Sequence, residues 1–313
     1  MSLYITIDGG TTNTRINLIE TQKIIANVKV NVGARMGIEN KDLLKTEIKK
    51  AIEKLLEENK IAKEDVVRIL ASGMITSEFG LCNLPHIKTP AGMDELHHSM
   101  HEVVLKEITD IPFVFIRGVK MAGDSLEDTD MMRGEETELM GMMNPDYGKC
   151  IYILPGSHSK IISTDDAGRI CDFSTMLTGE MIASLSAHTI LKDAVDLSVS
   201  DIHTDYLLKG YDYCREAGIN KALFKTRILK NIFGRTPEEI YSFFLGTVLC
   251  GEMEEIIKSD AKTVVIGGRY QIRMAMAEIL KSRDKKQIVT LAEEAVTLST
   301  SLGAIRIYES DSV

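Results

Sequence analysis

A basic face and a long apolar segment are both missing from this 313-residue chain, and each absence excludes a class of partner. Lysine and arginine number 37 against 46 aspartates and glutamates, which gives a formal net charge of −9. That balance argues against a nucleic-acid partner or an anionic membrane surface, because both require a concentrated positive face. No apolar run approaches the roughly 18 residues of a membrane helix, and the first strand begins too early for a signal peptide. We therefore expect a soluble cytoplasmic protein.

Cysteines are few, odd in number and widely spaced. The five are Cys82, Cys150, Cys171, Cys214 and Cys250, and no Cys-x-x-Cys pair occurs. They indicate reduced thiols rather than a disulfide framework or a zinc site. The chain also lacks the Gly-x-x-x-x-Gly-Lys-Ser/Thr P-loop and the Gly-x-Gly-x-x-Gly dinucleotide motif. These two routes to nucleotide binding are therefore disfavoured.

A glycine turn near the N-terminus carries the clearest chemical signal. Two alternating segments, each with isoleucine or leucine at every second position, flank Asp8-Gly9-Gly10-Thr11-Thr12-Asn13 and predict two strands joined by a tight turn. Glycines without Cβ let backbone N–H groups approach a phosphate, and the threonines and asparagine add donors. The alternative is an ordinary hairpin in which Asp-Gly-Gly is only a turn signal.

Strands and helices alternate along the rest of the chain. Asn40 is expected to cap a helix, and Thr236-Pro237-Glu238-Glu239 is a capping box that opens a long one. The segment Gly118–Asp130 is rich in Gly and Asp, which predicts a loop that connects two domains. We expect one domain over residues 1–120 and a second over 121–291, with the C-terminal helix, about 292–313, packing back on the first.

Each half begins with a strand–turn–strand unit and a phosphate-type turn, which suggests a duplicated α/β architecture with a cleft between the halves. This order resembles the superfamily of sugar kinases, heat-shock-protein-70 and actin, which has two ribonuclease H-like domains and an interdomain cleft. The resemblance implies a first phosphate loop over Asp8–Arg15, a second over Gly156–Lys160, and an adenosine motif where a strand ends in Gly267-Gly268, next to Arg269.

Three further blocks resemble one family within that superfamily, the 2-dehydro-3-deoxygalactonokinases. They are Met132-Arg133-Gly134-Glu135-Glu136-Thr137-Glu138-Leu139, Leu154-Pro155-Gly156-Ser157-His158-Ser159-Lys160 and Phe173-Ser174-Thr175-Met176-Leu177-Thr178-Gly179-Glu180-Met181. Ala71-Ser72-Gly73-Met74 also matches. The resemblance implies an ATP- and Mg²⁺-dependent cytoplasmic kinase that phosphorylates the sugar acid 2-dehydro-3-deoxy-galactonate to its 6-phosphate. A homodimer is the expected assembly.

The resemblance and the chemistry of phosphoryl transfer together assign roles to these residues. Asp8 is expected to hold Mg²⁺, and Glu136 is favoured as general base over Glu135, which would hydrogen-bond substrate hydroxyls. Lys160 would neutralise a phosphate or the substrate carboxylate. Nucleotide binding is assigned to Gly9, Gly10, Thr11, Thr12, Asn13, Gly156, Ser157, His158, Gly267, Gly268 and Arg269, with Asp8, and substrate binding to Arg133, Met74, Thr178, Gly179 and Glu180.

Structural alternatives stand beside several of these assignments. The run Glu135-Glu136-Thr137-Glu138 can be a solvated first helical turn, and Arg133 can form a salt bridge within its helix. Thr178-Gly179-Glu180 can simply cap a helix. At the level of function, the alternatives are a kinase of another sugar acid or polyol, and a non-catalytic nucleotide sensor or filament-forming relative.

Overall fold

The computed structural model describes residues 2–310, and the chain divides into two compact units. Unit 1 comprises Met1–Gly148, Asp165–Asp172 and Glu294–Val313, and unit 2 comprises Lys149–Thr164 and Phe173–Glu293. Each unit has its own hydrophobic core. No helix within residues 2–310 combines the length and the apolar character that crossing a membrane would require.

Unit 1 is built on a six-stranded sheet. The strands of this unit are β1 (Leu3–Gly9), β2 (Thr14–Glu20), β3 (Lys23–Val30), β4 (Val66–Gly73), β5 (Ile87–Lys88), β6 (His101–Val103), β7 (Phe113–Phe115), β8 (Val119–Ala122) and β9 (Thr129–Met132). Its first four helices are α1 (Ala34–Glu39), α2 (Lys41–Asn59), α3 (Met93–His98) and α4 (Glu135–Met142). The sheet order is β3-β2-β1-β4-β7-β6, and β5, β8 and β9 form a separate small sheet.

The alternating pattern of the first two strands explains why they lie at the centre of this core. Ile5 and Ile7 of β1 and Ile16 and Leu18 of β2 are all buried, since alternate side chains of a strand point to the same face. Helix α2 packs its apolar stripe on that core. Its N-cap is Asn40, whose side chain accepts a hydrogen bond from the Leu43 N–H at 3.0 Å, as predicted.

Unit 2 repeats the same construction. Its strands are β10 (Ile151–Leu154), β11 (Ser159–Thr164), β12 (Ile170–Met176), β13 (Thr263–Ile266) and β14 (Gln287–Thr290), and residues 170–172 of β12 are counted in unit 1. Its helices are α5 (Thr178–His188), α6 (Thr204–Ala217), α7 (Ile219–Asn231), α8 (Pro237–Lys258) and α9 (Tyr270–Arg283). The sheet order is β12-β11-β10-β13-β14. The predicted capping box at Thr236 and Glu239 is present at the start of α8.

The two sheets share one pairing scheme, which accounts for the predicted duplication. Strand β1 pairs antiparallel with β2 and parallel with β4, and β10 pairs antiparallel with β11 and parallel with β13. In each sheet the turn after the first strand and the end of the parallel neighbour therefore lie at one edge. Chemistry-bearing residues at strand ends are brought together by this arrangement.

The division between the units falls after Gly148, rather than after residue 120 as the sequence analysis expected. Instead of an open connection, residues 119–132 form the antiparallel pair β8–β9, and the chain then enters α4. Helix α10 (Glu293–Tyr308) packs tightly on α4: a Cβ on Gly303 would lie 1.8 Å from the Thr137 carbonyl oxygen. From Glu294 onward the C-terminal segment belongs to unit 1.

Candidate active site

The first phosphate-type turn joins β1 to β2 in unit 1. Asp8 lies opposite Arg15 in the antiparallel register, and the Gly10 N–H donates to the Asn13 carbonyl at 2.9 Å to close the turn. Thr11 and Thr12 are exposed at its tip. The Asp8 carboxylate is one-third exposed (33%) and lies 3.8 Å from the Arg15 guanidinium. Burial raises the pKa of Asp8, the Arg15 charge opposes this shift, and the Glu135 charge adds to it.

Three backbone segments converge behind this turn. Gly9 pairs with Gly73 at the end of β4, and a Cβ on Gly73 would lie 3.3 Å from an Asp8 carboxylate oxygen. Gly73 has a φ of +82°, a conformation that only glycine adopts without strain. A Cβ on Gly134, just before α4, would in turn lie 3.1 Å from the Gly73 Cα. Met74, which follows Gly73, and the start of α4 are therefore held beside Asp8.

Glu136 is fully buried at the start of α4, and its contacts differ from those expected of a base. Both of its carboxylate oxygens accept from the Gly134 N–H, at 2.8 and 2.9 Å, and one also accepts from the Thr137 hydroxyl at 3.1 Å. Burial first, and then the neighbouring Glu135 charge, raise the pKa of Glu136 to about 8. These contacts fit a carboxylate that closes the first turn of its own helix.

Glu138 is the carboxylate of α4 that the sequence analysis did not select. Burial raises its pKa to about 8, with further contributions from the charges of Asp8 and Glu135, in that order. A hydrogen bond from Ser299 and the Arg15 charge partly oppose the shift. Its spacing of three residues from Glu135 places both on one helical face, a signal that was readable in the sequence. Glu136 hydrogen-bonds to the first turn of its own helix, whereas the pKa of Glu138 responds to the Asp8 charge.

Arg133 is held by protein acceptors. One terminal nitrogen donates to the carbonyl and the hydroxyl of Thr76, at 2.7 and 2.6 Å. The other donates to the Leu84 carbonyl at 3.1 Å and contacts His86 Nδ1 at 3.2 Å. Burial and the Arg133 charge lower the pKa of His86 to about 4, so the imidazole is neutral and can accept. These contacts favour a structural role for Arg133 over the substrate-binding role expected from the sequence.

The second phosphate-type turn joins β10 to β11 in unit 2. Gly156, Ser157 and His158 form the turn, and His158 Nε2 lies 3.0 Å from the Glu180 carboxylate. Lys160, two residues beyond the turn, pairs with Leu154 across the hairpin and is almost completely buried (3% exposed). Lysines on a protein surface are normally exposed to solvent, whereas Lys160 is buried beside the turn.

Helix α5 begins directly against this turn. The N–H groups of Gly179 and Glu180 donate to the Ser157 carbonyl at 3.1 and 3.3 Å, and a Cβ on Gly179 would lie 2.3 Å from the Gly156 carbonyl oxygen. The buried Thr178 hydroxyl donates to Glu252 of α8. Burial first, and then the Glu255 charge, raise the pKa of Glu252 to about 8. The predicted Thr178-Gly179-Glu180 block is thus part of the same loop cluster.

The segment after β13 completes that cluster. The Gly267 N–H donates to the Ile153 carbonyl at 2.9 Å, and the Arg269 N–H donates to the Pro155 carbonyl at 3.0 Å. Gly268 has a φ of +66°, and a Cβ there would lie 2.4 Å from the Pro155 carbonyl oxygen. The Arg269 side chain reaches the Ser157 hydroxyl at 3.2 Å. Within unit 2, the expected second phosphate loop and adenosine motif are therefore in contact.

Comparison with known proteins identifies the family of this chain. The family model for 2-keto-3-deoxy-galactonokinase matches residues 8–301. The chain belongs to this family. A Rhizobium meliloti (strain 1021) protein assigned as the 2-dehydro-3-deoxygalactonokinase DgoK1 is 32% identical over 130 residues, which span 41% of this chain and 40% of that relative.

Two solved structures share the fold of this chain. A Sinorhizobium meliloti protein assigned as a 2-dehydro-3-deoxygalactonokinase matches 98% of this chain and 100% of its own with a TM-score of 0.74 and 22% identity. The activator of 2-hydroxyisocaproyl-CoA dehydratase from Clostridium difficile, with bound ADPNP, matches 98% of this chain and 95% of its own with a TM-score of 0.53 and 15% identity. The predicted two-domain α/β fold is confirmed.

Proposed function

We propose that this protein catalyses the ATP- and Mg²⁺-dependent phosphorylation of 2-dehydro-3-deoxy-galactonate at its 6-hydroxyl. Membership of the 2-keto-3-deoxy-galactonokinase family supports the reaction class. The observation that carries the proposal is Asp8, held at the end of a buried strand beside a glycine turn with exposed threonines. Such a turn presents backbone N–H groups to phosphates and a carboxylate to a metal.

The residues around Asp8 fit Mg²⁺. The described residues contain no group of three or more His, Cys, Asp or Glu side chains arranged to hold a metal. Mg²⁺ needs no such cage, because it takes one or two carboxylates and keeps several waters. The Asp8 charge raises the pKa of Glu138, and the Glu135 charge raises the pKa of Asp8, so a bound cation would relieve this repulsion. When bound, the ion would neutralise charge on the phosphates of ATP.

Unit 1 is assigned the acceptor end of the reaction. The acceptor hydroxyl oxygen forms a bond to the γ-phosphorus, while the bond from that phosphorus to the β–γ bridging oxygen breaks and ADP leaves with the electron pair. We assign Glu138, rather than Glu136, to accept the hydroxyl proton, because the oxygens of Glu136 are occupied by its own helix. Glu135 is the expected hydrogen-bond partner of substrate hydroxyls.

Unit 2 is assigned the adenosine and a second set of phosphate contacts, in addition to those of the Asp8 turn. Backbone N–H groups of Gly156–His158 would contact the transferring phosphoryl group, and the buried Lys160 would neutralise negative charge on it. The turn Gly267-Gly268-Arg269 would contact the adenosine, since it packs on the phosphate turn through Pro155 and Ser157. We also propose that the protein acts in the cytoplasm. Its assembly into a homodimer stays a prediction.

A coupled ADP-release assay with mass detection of the phosphorylated product tests the proposal. The purified protein is offered 2-dehydro-3-deoxy-galactonate, its gluconate epimer and neutral sugars. Asp8→Asn should keep the fold and lose most activity. In single-turnover experiments Glu138→Gln should slow the chemical step by about 100-fold or more, and Glu136→Gln far less. Hydrolysis of ATP with no phosphorylated sugar acid would reject the kinase assignment and favour a nucleotide sensor.

A further inference from the structure

A pocket of about 280 Å³ lies beside the first phosphate-type turn, within unit 1. Its lining includes Thr11, Thr12, Asn31, Gly33, Arg35 and Met36. Hydroxyl, amide and guanidinium groups are the side chains that recognise a polyhydroxy acid, because they supply donors for hydroxyls and a cation for the carboxylate.

Backbone contacts make this pocket part of the turn rather than a separate loop. The Thr14 hydroxyl donates to the Val32 carbonyl at 2.8 Å, and the Ala34 N–H donates to the Gly10 carbonyl at 3.0 Å. The Arg35 N–H donates to the Thr11 carbonyl at 2.9 Å. A Cβ on Gly33 would lie 2.5 Å from the Gly10 carbonyl oxygen, so only glycine allows this approach. The backbone of Arg35 is therefore fixed relative to the turn that carries Asp8.

Arg35 differs from the other arginines of unit 1 in what its side chain contacts. The guanidinium groups of the other six are engaged by protein acceptors: Arg15 by Asp8, Arg68 by Glu102, Arg117 by the Ser99 carbonyl, Arg133 by Thr76 and Leu84, Arg169 by Asp165, and Arg306 by three carbonyls of residues 140–143. No hydrogen bond or ion pair joins the Arg35 side chain to the described residues, and the side chain is exposed to the pocket.

We propose that this pocket binds the carboxylate end of the acceptor, with the Arg35 guanidinium as the group that recognises it. The inference rests on the proposed sugar-acid kinase function and names the part of the site that selects an acid. Asp8, Glu135 and Glu138 place three carboxyl groups in this part of unit 1, so a cation that pairs with an anionic acceptor would favour its binding there. A planar guanidinium matches a carboxylate with two hydrogen bonds, and the Asn31 amide can contact a neighbouring hydroxyl.

A phosphate of ATP is also an anion, and kinetics with each substrate distinguishes it from the acceptor carboxylate. We compare the wild type, Arg35→Ala and Arg35→Lys, with Lys23→Ala as a control that removes one positive charge from exposed surface at the far end of β3. In Arg35→Ala the KM for 2-dehydro-3-deoxy-galactonate should rise about 10- to 100-fold, as loss of a charge-assisted pair predicts, while the KM for ATP stays within about twofold. Arg35→Lys should recover part of this loss, and Lys23→Ala should match the wild type.

A neutral analogue with a hydroxymethyl group in place of the carboxylate gives the specificity test. The wild type should prefer the acid, and Arg35→Ala should lose most of that preference. An increased KM for ATP in Arg35→Ala, or an unchanged KM for the acid, would overturn the inference. Arg133→Lys serves as comparator, because its contacts are structural and its acid preference should persist.

A binding measurement without ATP separates failure of this inference from failure of the proposed function. Titration calorimetry with 2-dehydro-3-deoxy-galactonate should show binding to the wild type and loss of at least about tenfold in affinity for Arg35→Ala. Binding that depends on Arg35 without any phosphorylation would reject the kinase assignment alone. Equal binding by both proteins would reject the role of Arg35 alone. Circular dichroism melting verifies that every variant is folded.

Discussion

Glu136→Gln should make the stability of unit 1 less dependent on pH. The Glu136 carboxyl is fully buried, and burial with the Glu135 charge raises its pKa from 4.5 to about 8. The folded protein therefore holds this proton more tightly than the unfolded chain does. Stability from this group is present in full below about pH 4.5, and it is lost as the pH rises toward 8. Glutamine resembles the protonated carboxyl and does not titrate, so the variant avoids the loss.

The size of the effect follows from the shift. Each pKa unit corresponds to about 1.4 kcal/mol, so a shift from 4.5 to about 8 corresponds to about 5 kcal/mol of unfolding free energy lost by pH 9. The amide oxygen of glutamine can still accept from the Gly134 N–H and the Thr137 hydroxyl. At pH 5 we expect the variant to lie within about 1 kcal/mol of the wild type. At pH 9 it should be more stable by about 2 to 5 kcal/mol.

Equilibrium unfolding in urea at pH 5, 7 and 9, followed by circular dichroism, measures the difference. Glu57→Gln is the matched control, because it removes an exposed glutamate from α2 of the same unit and should give a constant offset across the pH range. Hydrogen exchange of the α4 amides identifies the transition of unit 1. Stability curves of Glu136→Gln and wild type that run parallel from pH 5 to pH 9 would refute the reasoning.

Two further predictions concern the packing of α10 on α4 and a buried hydrogen bond in unit 2. Gly303→Ala would place a Cβ 1.8 Å from the Thr137 carbonyl oxygen and should lower the unfolding free energy by about 3 kcal/mol or more, whereas Gly251→Ala in α8 meets no atom within 4 Å and should stabilise by about 0.5 to 1 kcal/mol. Differential scanning calorimetry compares the two, and equal melting temperatures would contradict the α4–α10 contact. Thr178→Val leaves the buried Glu252 carboxyl without its donor and should cost about 1 to 3 kcal/mol in urea unfolding, with most of it recovered by Thr178→Ser. Failure of serine to recover stability would argue against the hydrogen bond.

Several local features were predictable because their causes lie within a few residues. The cap at Asn40, the capping box at Thr236 and the hairpin around Asp8 all form where the pattern places them. Side-chain hydrogen bonds to nearby backbone and the alternation of apolar residues act over short separations. The two-domain α/β fold was predictable for a related reason, since the same strand–turn–strand pattern occurs twice along the chain.

Which glutamate of α4 acts as the general base could not be predicted from the sequence in the same way. Glu136 shares an apolar helical stripe with Met132, Leu139 and Met143, a pattern that favours desolvation, and burial raises its pKa. Which atoms its carboxylate meets depends on the conformation of Gly134, whose φ is +114°. Similarly, the sequence analysis assigned substrate binding to Arg133 and gave Arg35 no role. Only the folded chain shows that Thr76, Leu84 and His86 engage the first.

The sequence by itself determined the secondary structure around the two turns, the duplicated sheet pattern and the residue types available for chemistry, because local backbone preference and periodic burial control these. Tertiary structure decided the unit boundary after Gly148, the hydrogen bonds of Glu136 to its own helix, the effect of the Asp8 charge on the pKa of Glu138, and the position of Arg35 on the turn. Each of these depends on contacts between segments distant in the chain, such as α4 with α10. Such contacts are selected by the packing of the whole core, which no single stretch of sequence encodes.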